Sequence, residues 1–119
     1  MRPLKTTIRQ LRFVIPVVVC AIVSAASAFG AEPDGDAAQA LAKKSNCFKC
    51  HSIDKKKDGP AFKVTADKYK GKAEAEDKLV KHISTGPMVK IDGKEEEHEI
   101  VKSKSDPEVR NLVRWILTR

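Results

Sequence analysis

Two cysteines and a histidine fall within five residues, Cys47-Phe48-Lys49-Cys50-His51, and this pentapeptide governs how the rest of the chain can be read. Thiols three residues apart lie on one face of a helical turn, and here an imidazole follows directly. Four chemistries use such a pair: a redox-active dithiol, half of a zinc site, a plain disulfide, and covalent attachment of a haem. A thioredoxin-like dithiol belongs in a βαβ context, which the chain lacks. Zinc would need a second pair of ligands, for which only His82 and His98 remain. In a C-x-x-C-H arrangement both sulfurs can reach the vinyl groups along one haem edge, and the adjacent imidazole can rotate under the ring to bind the iron. One covalent haem c with its iron is the expected cofactor, on Cys47, Cys50 and His51.

The 119 residues leave room for one small domain. The formal charge of +7 is unevenly distributed. Arg2, Lys5, Arg9 and Arg12 precede an apolar run from Phe13, and no acidic residue appears before Glu32. A basic start, an apolar stretch to Ala25 and the small residues Ser24-Ala25-Ala26-Ser27-Ala28 form the order of a secretory signal peptide. The predicted leader is residues 1–28, cut after Ala26-Ser27-Ala28, although a cut after Ala31 also fits. An uncleaved anchor is disfavoured because the run falls short of the roughly 20 apolar residues that span a bilayer. Cys20 then leaves with the leader. Residues 29–119 keep 19 basic and 16 acidic side chains, so most of the basicity that would suggest nucleic-acid binding disappears.

What remains is a short chain with few aromatics, Phe29, Phe48, Phe62, Tyr69 and Trp115. Domains this small usually need a staple. Residues 29–35 read as a flexible N-terminal segment, and 36–119 as the folded domain. A helix is expected from Asp36 to Lys44, with Asn46 as a left-handed cap. Phe62 to Tyr69 is a short apolar-spaced segment, ended by Gly71. The apolar spacing of Ala75, Leu79, Val80 and Ile83 predicts another helix, ended by Gly86-Pro87. Met88 to Lys104 carries no convincing period and reads as a long loop. Ser105-Asp106-Pro107-Glu108 opens a last helix with the stripe Val109, Leu112, Val113, Ile116 and Leu117. The expected architecture is all-α, with three or four short helices.

An iron bound by His51 leaves its second axial position to Met88, His98 or His82. Cys47-Phe48-Lys49-Cys50-His51, the turn Gly59-Pro60-Ala61-Phe62, the helix end Ile83-Ser84-Thr85-Gly86 and the stretch from Asp106-Pro107-Glu108 to Trp115-Ile116-Leu117 together resemble the small bacterial class I monohaem cytochromes c. The resemblance implies the cytochrome c fold, with its helices wrapped around one haem, and a periplasmic one-electron carrier. In that family a methionine in a proline-flanked loop is the usual sixth ligand, and this sequence departs from the pattern. The family's interval back from Trp115 reaches His98, whereas Met88 falls ten residues too early. The resemblance therefore favours His51/His98 ligation, with Met88 as the alternative. It also implies that the Pro60 carbonyl accepts a hydrogen bond from His51 and that His82 lies near a haem propionate.

The function expected is electron transfer between redox partner proteins. Lys55-Lys56-Lys57, with Lys43, Lys44 and Lys49, could steer acidic partners. No general base or nucleophile suggests an enzyme. The expected molecule is a monomer that binds no nucleic acid and is not inserted in a membrane once its leader is cut. Two rivals remain: a gas-binding or sensing haem protein whose His98 loop swings away, and a dedicated electron-transfer subunit of one oxidoreductase.

Overall fold

The computed structural model describes residues 31–119, so the predicted leader, Cys20 and the cleavage site lie outside the described residues. Helix α1 spans Gly35–Lys44, starting one residue before the expected Asp36. Asp34 caps it, its side chain accepting the Ala37 N–H at 3.0 Å. The Asp34 N–H also donates to Asn111 Oδ1 at 2.8 Å, and Asn111 Nδ2 returns a bond to the Asp34 carbonyl at 2.9 Å. Asp34 and Gly35, which composition groups with the flexible segment, are thus clasped to the far end of the chain. Lys43 and Lys44 close α1, where the helix dipole favours cations. Asn46 then takes the left-handed conformation at φ 59°, turning the chain into the single-turn helix α2, Cys47–Cys50.

Helices α3 (Phe62–Tyr69), α4 (Ala75–Thr85) and α5 (Asp106–Leu117) follow the apolar spacing read from the sequence. Pro107 sits in the first turn of α5, where its missing N–H costs nothing. Ser105 occupies the N-cap position but makes no side-chain capping bond. Ser103 ties this entry instead, accepting the Ser105 N–H at 3.1 Å and donating to Glu108 at 2.6 Å.

The segment after α4 corrects the sequence reading. Met88–Ile91 (β1) and Lys94–Glu97 (β2) form an antiparallel hairpin, pairing Met88 with Glu97 and Ile91 with Lys94. Asp92 and Gly93 connect them with φ of 50° and 81°, as a two-residue type I′ hairpin turn requires. The Asp-Gly dipeptide was the available signal. Four-residue strands, one of them Lys-Glu-Glu-Glu, are too short and too polar for alternation to register.

Helix α5 lies at the centre and packs on α1, α3 and α4. Val109, Leu112, Trp115 and Ile116 meet Ala38, Leu41 and Ala42 of α1, Phe62 of α3, and Val101. Trp115 is buried between the first and last helices, with the Gly35 backbone against its ring and Phe62 edge-on at 5.8 Å. Helix α4 is different: its stripe residues Leu79, Val80 and Ile83 stay only half-buried. No helix among the described residues is long and apolar enough to cross a membrane.

Candidate functional site

The turn α2 holds Cys47 and Cys50 as free, half-buried thiols on one side of the chain. Burial, with the nearby Glu99 carboxylate acting in the same direction, raises the Cys47 pKa above its ordinary value. A thiol held protonated differs from the activated thiolate of a dithiol redox enzyme. Nor do three or more His, Cys, Asp and Glu side chains converge among the described residues as a bare metal ion would need.

The chain leaves α2 through His51, and the following loop folds back on that turn. The Gly59 N–H donates to the Cys50 carbonyl at 2.8 Å, and the Lys57 ammonium donates to the Phe48 carbonyl. This return carries the Pro60 carbonyl to His51, whose Nδ1 donates to it at 2.8 Å. With Nδ1 protonated, the neutral ring keeps its lone pair on Nε2, and the second-shell bond raises its basicity. Burial is the main influence lowering the His51 pKa, with His98 and Lys57 adding to it, so the ring favours the neutral, ligating form. Phe62 stacks on the ring at 5.3 Å between centroids and 18° between planes. Gly59 passes so close that a Cβ there would stand 2.5 Å from His51 Cε1.

Opposite stands His98, just beyond β2. Its centroid is 6.0 Å from that of His51, with the planes tilted by 47°. Its Nδ1 donates to the Glu99 carbonyl at 2.8 Å, again leaving Nε2 as the lone-pair nitrogen. Two imidazoles sharing one metal through bonds of about 2 Å have centroids about 6 Å apart once each ring's radius is added. Backbone bonds hold this segment: the His98 N–H to the Pro87 carbonyl at 2.9 Å, the Val101 N–H to the Ile83 carbonyl at 2.8 Å. Gly86, at φ 60°, leaves room for it, since a Cβ there would lie 2.8 Å from the His98 carbonyl oxygen.

His82 on α4 meets His98 edge-on at 4.6 Å, and burial above all lowers its pKa. Met88 lies on β1 opposite Glu97 with 60% of its surface exposed. The structure therefore brings together Cys47, Cys50, His51, Pro60, His82 and His98, and leaves Met88 exposed on the hairpin.

Cys47, Phe48, Ile53, Val80 and Ile83 pack on the core as an apolar wall that the polypeptide leaves partly uncovered. A flat apolar ring fits this wall: it would cover the open face of α4, find two thiols on one turn, and meet an imidazole nitrogen on either side. The residues thus fit an attached haem. Sequence reasoning missed Gly59, Phe62 and Gly86 as parts of the site. Gly59-Pro60 and Gly86-Pro87 read as turns and as part of the family pattern, and the close approach of Gly59 to the His51 ring and of Gly86 to the His98 carbonyl could not be read from them.

Residues 35–119 match the Cytochrome c family. Cytochrome c-551 of Pseudomonas aeruginosa is 33% identical over 89 residues, covering 68% of this chain and 75% of that protein. Cytochrome c-551 of Allochromatium vinosum is 48% identical over 46 residues, which span 39% of this chain and about half, 49%, of that protein. Among solved structures, Class 1 cytochrome MtoD from Sideroxydans lithotrophicus ES-1 superimposes with a TM-score of 0.69 at 52% identity, covering 72% of this chain and 96% of that one. The helical fold built on a central last helix and the family match agree, and the chain belongs to the cytochrome c family as a class I monohaem member with one covalently attached haem c.

Proposed function

We propose that this electron-transfer cytochrome works in the periplasm as a one-electron carrier, its haem tethered through Cys47 and Cys50 and ligated by His51 and His98. The observation that carries the reading is the facing of His51 and His98 at 6.0 Å, each with Nδ1 engaged by a backbone carbonyl. When bound, the haem supplies a one-electron iron couple. Cys47 and Cys50 fix the ring edge, and the Pro60 carbonyl and Phe62 hold the His51 plane. Glu99 does the same for His98 through its carbonyl, and His82, edge-on to His98, would close the wall beside a bound haem. With both nitrogens committed, no position is left for a substrate, which supports a carrier over an enzyme. The backbone bonds at His98 and Val101 also weigh against a gas sensor whose distal loop swings away.

Two imidazoles give a lower potential than a histidine–methionine pair. Glu95, Glu96 and Glu97 on β2, with Glu99, push the same way by favouring ferric iron, weakened by solvent screening because all four are exposed. Exposed Lys49, Lys55 and Lys56 beside the attachment turn suit docking of an acidic redox partner.

The deciding measurement is the absorption and magnetic spectrum of the oxidised holoprotein, with His98→Ala and Met88→Ala beside it. Bis-imidazole ligation predicts no sulfur-to-iron charge-transfer band, a high-spin shift in His98→Ala and no change in Met88→Ala. A charge-transfer band that vanishes in Met88→Ala would transfer the assignment to Met88.

A further inference from the structure

Ser45 is the buried polar side chain of the described core, 1% exposed. It stands at the junction of α1 and the attachment turn, with Asn46 and Cys47 following it. Its own N–H closes α1 on the Leu41 carbonyl at 2.9 Å. Its hydroxyl accepts the Lys102 N–H at 2.9 Å across 57 positions of sequence. Lys102 ends the short irregular segment that starts at His98, in which Glu99 and Ile100 are exposed and Val101 is buried. The other backbone bonds of that segment, from His98 and Val101, run to Pro87 and Ile83, on and just after α4. The Ser45 hydroxyl fastens the segment to the side of the molecule that carries the thiols.

We propose that Ser45 is a positioning residue for the sixth ligand: its hydroxyl holds residues 98–102 at a fixed span from the Cys47 turn and thereby limits how often His98 leaves the iron. This rests on the reading of His98 as that ligand. Without the hydroxyl, the part-buried Lys102 N–H loses its acceptor, and the segment must lift to reach water. A segment with exposed side chains that has lost one of its bonds opens locally more often than the whole domain unfolds. That opening carries His98 with it.

The test is cyanide binding to the oxidised holoprotein, whose rate at saturating cyanide is limited by departure of the sixth ligand. Ser45→Ala should raise the limiting rate about tenfold or more while leaving the resting absorption spectrum unchanged. Ser45→Thr, which keeps the oxygen, should bring the rate back toward that of the unaltered protein. Glu76→Gln removes bonds from Arg110 and Arg114 near the start of α4, away from Ile83, and makes none with residues 98–102; it should lower the denaturation midpoint and leave the rate within about twofold. Should Ser45→Ala give no folded holoprotein, hydrogen exchange on the unaltered protein decides. The opening rate at the Lys102 amide should then agree with the cyanide limit to within about threefold.

An unchanged rate in folded Ser45→Ala, an equal acceleration in Glu76→Gln, or a Lys102 opening rate that differs about tenfold or more from the cyanide limit overturns the inference. A sulfur-to-iron band in the unaltered protein is a different failure, since it removes the ligation reading and this inference with it.

Discussion

The His51 ring has little freedom: a hydrogen bond at Nδ1, a stacked phenyl ring and a glycine backbone leave it one orientation. Gly59→Ala tests this most directly, because its new methyl would meet a ring that two other contacts hold in place. The expected cost is about 1–3 kcal/mol of stability, read from the urea midpoint. A reduced yield of coloured, low-spin protein should accompany it. The grouping of Cys47, Cys50 and His51 on one turn was legible because attachment chemistry needs those residue types at adjacent positions. The contributions of Gly59, Phe62 and Ser45 were not, since each depends on an atom brought near by folding: the His51 ring for two of them, the Lys102 N–H for the third. Glycine 93 offers a control of a different kind. It shares a positive φ with Gly86, yet a Cβ there would meet nothing within 4 Å. Gly93→Ala should cost about 1–2 kcal/mol of backbone strain and leave the spectrum unchanged. Gly86→Ala adds a collision with the His98 carbonyl and should also speed cyanide binding.

Helix α4 carries an amphipathic stripe that the polypeptide only half covers, and of its residues only Ala75 is buried. Most helical stability in proteins comes from packing of the apolar face. A chain with Cys47→Ala and Cys50→Ala, unable to attach haem, should therefore lose circular-dichroism helicity. Hydrogen exchange should locate that loss in α4 and the hairpin while α1 and α5 stay protected. The same contrast explains what sequence could reveal. Helix α5 was plain from its cap, proline and long stripe, and its companion α1 from strong helix formers. The hairpin was hidden because its stability lies in the Asp92-Gly93 turn and the pairing of two strands, not in the composition of either.

Across the molecule, α4 is pinned to α5 by charge as well as by packing. Arg114 holds Glu76 at 2.9 Å, and Arg110 bridges Glu76, Asp77 and Asp106 at 2.8–3.0 Å. The hydrogen bond from Arg114 is the chief cause of a lowered Glu76 pKa. The folded chain thus keeps this carboxylate charged at pH values where the unfolded chain has begun to protonate it. The resulting stability is complete above about pH 4.5, the ordinary value, and drains away as pH falls further. Glu76→Gln should cost about 1 kcal/mol at neutral pH, because networks of partly exposed pairs contribute modestly. A series of urea midpoints from neutral to acid pH should also show a shallower decline in the variant. The fold class was readable from helical spacing and the haem motif together, whereas this network was not, since the pairs that join α4 to α5 lie more than thirty residues apart. The clasp between Asp34 and Asn111 has a practical corollary. Because the pairing with Asn111 begins at Asp34, a chain started a residue or two before or after Phe29, or an affinity tag fused ahead of Pro33, should yield a product with the same melting temperature.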